Sequence, residues 1–125
     1  MKIALVGSRS ITSKEIVLSA LYATIHKYTP KSVAVISGGA KGVDTVAREI
    51  AKDEGFDFIL FKPYHMIDTT VEYDPKFFFT RNKQIVDNSD VVVVVWDGES
   101  HGTQHVIDYC RKRKKPFELF TVGAQ

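Results

Sequence analysis

Cysteine is nearly missing from this chain of 125 residues: Cys110 stands alone, which excludes an internal disulfide framework and fits a reducing compartment. Long apolar runs are missing as well. The longest is Val91–Trp96, and a helical membrane span needs about 20 residues. The opening run, Met1 to Val6, is too short for the core of a secretory signal and has no cleavage site after it, so a cytoplasmic protein with no membrane partner is expected. Charge of one sign is not in excess either. Seventeen Lys and Arg against 15 Asp and Glu leave a net charge of +2, too little by itself to demand a nucleic-acid or membrane surface. Linkers, repeats and low-complexity stretches are not seen, so residues 1–125 are expected to form one domain.

What the chain does have is alternation. Five short runs, Ile3–Val6, Val33–Ile36, Phe58–Phe61, Val91–Trp96 and Phe117–Val122, are β-branched or aromatic and too short for helices. They do not alternate polar with apolar, which predicts strands of a parallel sheet buried on both faces. The segments between them carry a helical period: Ile16 to Ile25, Val43 to Ala51, Phe77 to Val86, and Val106 to Cys110. Thr12 with Glu15 predicts a capping box and a helix starting near Ser13. Pro30 stops that helix, Gly55 suits the end of the second, and Pro75 suits the entry to the third. The expected fold is α/β, a doubly wound, mainly parallel five-stranded sheet in a Rossmann-like three-layer sandwich. The connection from Lys62 to Asp74 is longer than the rest and has no clean period, the pattern of a lid or binding loop.

Ligands of such sheets bind beyond the carboxyl ends of the strands. Three loops leave those ends and are rich in glycine and small polar residues: Gly7-Ser8-Arg9-Ser10, Ser37-Gly38-Gly39-Ala40-Lys41-Gly42-Val43-Asp44, and Asp97-Gly98-Glu99-Ser100-His101-Gly102-Thr103. Glycines let the backbone approach a ligand, and the helices that follow offer free N–H groups and a positive dipole end. Arg9 and Lys41 add full charge, so a phosphate-like anion on a nucleotide-sized ligand is expected there. The second loop matches neither the dinucleotide fingerprint nor a Walker A loop.

Each candidate also has a plain structural use. Arg9 and Arg81 suit a phosphate fork or a surface ion pair. Asp44 suits a ribose hydroxyl or the helix N-terminus, and Ser8, Ser37 and Thr103 suit phosphate or helix caps. His101 and His105 lack partners that would complete a metal pattern, so no metal and no cofactor are expected. Cys110 falls on an apolar stripe. Among Phe77, Phe78 and Phe79 one ring belongs in the core and another suits a base or a second subunit; Tyr64 and Tyr73 suit stacking or pinning of the long loop. The run Arg111-Lys112-Arg113-Lys114-Lys115 is the strongest charge cluster; placed where a helix ends, it is read as opposing the dipole, and nucleic acid is disfavoured as a partner.

Gly7-Ser8-Arg9 and Ser37-Gly38-Gly39-Ala40-Lys41-Gly42-Val43-Asp44, with Arg81-Asn82 in the third predicted helix and Gly102-Thr103 near the fourth, resemble the SLOG superfamily of Smf/DprA and LOG proteins, and within it the small YspA-like branch. The resemblance implies a Rossmann-like fold binding nucleotides or their derivatives, with Gly7, Ser8, Arg9, Ser37, Gly38, Gly39, Ala40, Lys41, Gly42, Asp44, Arg81, Asn82, Asp97, Gly102 and Thr103 around the ligand. LOG enzymes cleave N-glycosidic bonds with an arginine matched by Arg81 and a glutamate whose position here is Val106. That departure favours a sensing or sequestering module for a nucleotide or ADP-ribose-like signal, expected to self-associate. The alternative is an N-glycosidase drawing on Asp44, Asp97 or Glu99, and a second alternative is DprA-like binding of single-stranded nucleic acid.

Overall fold

The computed structural model describes residues 1–39 and 41–123. Five strands, β1 (Lys2–Gly7), β2 (Ala34–Ser37), β3 (Asp57–Leu60), β4 (Val91–Trp96) and β5 (Phe117–Thr121), form one sheet in the order β3-β2-β1-β4-β5. Every neighbouring pair is parallel; Ile3 faces both Val35 and Val91 across the two central ladders. Helices α1 (Lys14–Tyr28) and α2 (Val43–Glu54) bring the chain outward from β1 to β3. The chain then returns through a single-turn helix, α3 (Tyr64–Ile67), and α4 (Lys76–Asp87) to β4, and α5 (His101–Arg113) leads to β5.

The pleat divides the core in two. Ile3, Leu5, Val35, Val91, Val93 and Val95 pack with Val17, Leu21, Val43, Ala47 and Ile50 of α1 and α2. Ala4, Val6, Ile36, Val92 and Val94 pack with Ile85 and Val86 of α4 and Val106, Ile107 and Cys110 of α5. Successive strand residues point to opposite faces, so an unbroken valine run feeds both layers. Burial on both faces holds for β1, β2 and β4. The border strands β3 and β5 are only half-buried, because each has a neighbour on one side alone.

Local signals act as expected with one shift. Ser13, not Thr12, caps α1, accepting from the Ile16 amide at 3.3 Å. Both residues carry the hydroxyl a cap needs, and the extended backbone at Ser13 decides between them. Gly55 closes α2 at φ 73°, the left-handed position that glycine takes without strain. Among the described residues no helix is long and apolar enough to cross a membrane.

Strand order reverses between β1 and β4: β1 leads to β2 on one side, and β4 leads to β5 on the other. A crevice opens at such a point, beyond the carboxyl ends of the two central strands.

Candidate functional site

The β1–α1 turn begins at Gly7. A Cβ there would lie 2.2 Å from the carbonyl of Val95 and 2.6 Å from the Val43 side chain, so the end of β1 touches both β4 and α2. The next residue, Ser8, is fully buried; its amide donates to the Val95 carbonyl at 3.1 Å and its hydroxyl accepts from the Asp97 amide at 3.0 Å. Asp97 completes the clasp, accepting from the Glu99 and Ser100 amides at 2.9 Å each and from the Ser10 hydroxyl at 2.8 Å. These donors, the Glu99 amide first, hold its carboxyl down to about 2. Gly42, at φ 81°, backs onto the same turn: a Cβ would fall 2.6 Å from the Ser8 carbonyl and 2.7 Å from the Arg9 Cα. The second loop is held by Ser37, whose hydroxyl donates to the Asp44 carbonyl and accepts from the Gly39 amide, both at 3.3 Å.

This interlocking sets Arg9 exposed at the rim of a cleft of about 310 Å³. Arg81 of α4, only 6% exposed, lines the same cleft. Its Nη1 donates to the Gly38 carbonyl at 2.8 Å, its Nε to the Asn82 side-chain oxygen at 3.0 Å, and its guanidinium lies 5.6 Å from the Phe78 ring centre. A guanidinium carries five N–H donors, and the remaining three have no protein acceptor among the described residues. Burial lowers the Arg81 pKa; Asp44 opposes that shift, and the like charge of Arg9 adds to it. Arginine stays charged regardless. The cleft therefore brings two guanidiniums and one carboxylate into mutual range, a net positive site.

The N-terminus of α5 forms the next wall. Ser100 caps the helix, its hydroxyl meeting the Thr103 amide at 3.4 Å, and its carbonyl accepts from the Trp96 indole at 3.1 Å. Gly102 lies in the first turn, where amides have no partner within the helix. A Cβ at Gly102 would meet no neighbouring atom within 4 Å, so nothing in the packing demands a glycine there. Tyr73, Phe78 and Phe79 supply aromatic wall, with Val6, Ile85 and Val106 behind. Phe79 is backed by His105, ring centres 4.5 Å apart; burial first, with Lys83 adding to it, lowers the His105 pKa below its ordinary value.

Of the residues singled out in the sequence, the structure brings Gly7, Arg9, Asp44, Arg81, Asn82, Gly102 and Thr103 together around the cleft. Ser8, Ser37, Gly38, Gly42 and Asp97 stand behind it as struts and contact points, while Gly39, Lys41 and Glu99 are exposed and outside the lining. Ala40 lies outside the described residues. Asp44 is the one carboxylate among the described residues that line the cleft, and the position of the LOG glutamate is filled by the buried, apolar Val106. Pro75, expected only as a helix entry, and Ser100, named in the third loop but given no role of its own, also line it; the Ser–x–x–Thr spacing of the α5 cap was the available signal for Ser100. Among the described residues no group of three or more His, Cys, Asp and Glu is placed to hold a metal.

The basic run at the end of α5 lies at the opposite edge of the sheet. Arg113 pairs with Asp87 at 3.6 Å, Lys115 donates to the Ser89 carbonyl just ahead of β4 at 2.6 Å, and Lys114 forms the left-handed cap at φ 55°.

A family model described as YspA, cpYpsA-related SLOG family matches residues 1–65. Comparison with curated proteins returns no match. The structure of DNA processing protein A from Helicobacter pylori, solved for its single-stranded DNA binding mode, is similar with a TM-score of 0.68 at 24% identity, over 95% of this chain and 64% of that one. DNA processing protein A from Streptococcus pneumoniae is similar with a TM-score of 0.69 at 20% identity, over 94% of this chain and 49% of that one. The chain thus spans less than two thirds of either protein, and the likeness is one of fold. It corrects one expectation. A low net charge and a helix-end basic run set nucleic acid aside as a partner, yet the Helicobacter pylori protein of this fold binds single-stranded DNA. Net charge was the wrong measure, because phosphate contacts depend on where cations cluster rather than on their sum.

Proposed function

The chain belongs to the YspA, cpYpsA-related SLOG family, and from that premise we propose that it binds a nucleotide-derived small molecule in the cleft between β1 and β4, as a sensor or sequestering module. The observation that carries this reading is Arg81: a cation 6% exposed, with spare N–H donors, lining the same cavity as Arg9 and within reach of its charge. Keeping two guanidiniums close in a partly desolvated cleft costs free energy that a phosphate would repay. Beside them the α5 N-terminus offers further amide donors, and the faces of Phe78, Phe79 and Tyr73 offer a place for a base.

Thermal unfolding with AMP and with ADP-ribose tests it. A ligand at about 100 times its Kd stabilises the native state by about 2.7 kcal/mol. Arg9→Ala, a change at an exposed side chain, should keep the unliganded Tm and abolish the ligand-dependent rise. An equal rise in wild type and Arg9→Ala refutes the proposed cleft. Release of free base during incubation would instead favour the N-glycosidase, with Asp44 as its carboxylate.

A second reading is single-stranded DNA binding, favoured by the fold shared with the Helicobacter pylori protein. Its mark is a gel shift of a thymidine oligonucleotide whose affinity falls steeply with salt. Loss of the shift on neutralising residues 111–115 would place the strand at the basic run, and loss in Arg9→Ala would place it at the cleft.

A further inference from the structure

Helix α4 has a second cavity on its other flank. About 280 Å³ in volume, it is lined by Lys62, Tyr64, Ile67, Lys76, Phe77, Thr80, Arg81 and Gln84. Phe77, Thr80, Arg81 and Gln84 follow the spacing of one helical face, while Phe78, Asn82 and Ile85, one step around, face the first cleft. Arg81 is the residue common to both linings. Lys62 lies two residues beyond the carboxyl end of β3, so this cavity opens at the same carboxyl edge of the sheet as the first.

Its chemistry is one-sided. Among the described residues three cations line it and no carboxylate does. Asp74, outside the lining, pairs with Lys76 at 3.5 Å. Lys62 has no ion-pair partner among the described residues. Thr80 and Gln84 add neutral hydrogen-bonding groups. One wall is aromatic: Tyr64 packs on Phe77 with ring centres 5.8 Å apart, and His65, between Tyr73, Phe77 and Phe78, ties the single turn of α3 to α4. The long connection after β3 is therefore the outer wall of a basic pocket.

The geometry points to a second anion subsite, formed by Lys62, Lys76 and the far side of Arg81, that takes a further phosphate of a ligand whose first nucleotide lies in the cleft. The ligand class is a phosphodiester-linked dinucleotide carrying a terminal phosphate, rather than a mononucleotide. Two sites joined by one guanidinium favour a ligand that spans both, since binding one end raises the effective concentration of the other. The span rests on the cleft reading above; the anion subsite itself does not.

The test uses the whole ¹⁵N-labelled chain with inorganic pyrophosphate, AMP and the 5′-phosphorylated dinucleotide pApA. Pyrophosphate should shift the Thr80 and Gln84 amides in wild type and in Arg9→Ala alike. By calorimetry pApA should bind about tenfold or more tighter than AMP, a gain expected from linked subsites. The double variant Lys62→Gln/Lys76→Gln, confined to exposed side chains, should bring the pApA/AMP ratio close to one and leave AMP affinity unchanged. If AMP moves Gly102 and Thr103 while pyrophosphate leaves Thr80 and Gln84 still, the subsite falls and the cleft reading stands. The converse pattern removes the cleft reading and keeps the anion subsite. A tighter pApA complex indifferent to the double variant overturns the subsite, and no shift at either place overturns both.

Discussion

Arg81 and Gly38 are matched as guest and seat: Nη1 donates to the Gly38 carbonyl at 2.8 Å, and a Cβ on Gly38 would lie 2.4 Å from that same nitrogen. The absence of a side chain on the β2–α2 loop is what lets a guanidinium from α4 cross the cleft floor and stay buried. The pair is separated by 43 residues and ties the loop after β2 to α4.

Gly38→Ala should therefore displace Arg81 and leave a buried carbonyl short of its donor. Overpacking of this kind costs roughly 1–3 kcal/mol. Urea denaturation would measure the loss, and AMP-dependent stabilisation should vanish with it. A variant as stable as wild type that still responds to AMP would show that Arg81 does not need this seat.

Gly102→Ala separates stability from binding. The added methyl meets no neighbour, and alanine suits a helix better than glycine by up to about 1 kcal/mol. Tm should hold or rise slightly while AMP affinity falls, because the methyl takes space in the cleft. Unchanged affinity by calorimetry would place the ligand away from the α5 N-terminus.

Asp97 makes the clasp between the β1 and β4 loops sensitive to acid. Its carboxyl titrates near 2 in the folded chain against an ordinary 3.8. A depressed carboxyl stabilises the folded state above its unfolded pKa, and that stabilisation is lost as pH falls through the folded value. The Tm advantage of wild type over Asp97→Asn should be constant above about pH 4.5 and shrink between about pH 4 and 2. An advantage that does not change across that window would remove the clasp.

Cys110 is predicted to be inert. It is fully buried on the inner face of α5 against the sheet, and burial, opposed by Lys115, pushes its thiol up to about 11. At pH 8 roughly a thousandth of it is thiolate. A disulfide reagent should label the native chain only as fast as it opens, and at once in denaturant. Fast labelling of the folded protein would contradict this packing.

Much of this was legible in the residues. Val91–Trp96 can only be a buried central strand, since no surface tolerates that run, and Pro30, Gly55 and Pro75 mark their helices correctly. Arg81 and Asn82 were marked by their resemblance to the Arg-Asn pair of the SLOG superfamily, and Arg81 also falls within the periodic stripe of its helix. The division of labour in the loops was not legible. Ser8, Ser37 and Asp97 have the groups a phosphate or ribose would use, but in the fold they bind amides and carbonyls of neighbouring loops. A hydroxyl or carboxylate serves either purpose equally well, and what it meets depends on chain segments up to 89 residues away.

The residues alone determined the layers: the alternation of short β-branched runs with apolar helical stripes leaves a parallel sheet covered on both faces as the way to bury both, and parallel crossovers put every glycine loop at one edge. Only the tertiary structure decided which of those loop residues face outward into the cleft and which hold the loops to each other, and that α4 divides the edge into two cavities with Arg81 between them. The reason is physical: periodicity is a local property that a chain carries with it, whereas a cavity is the space left when distant segments pack.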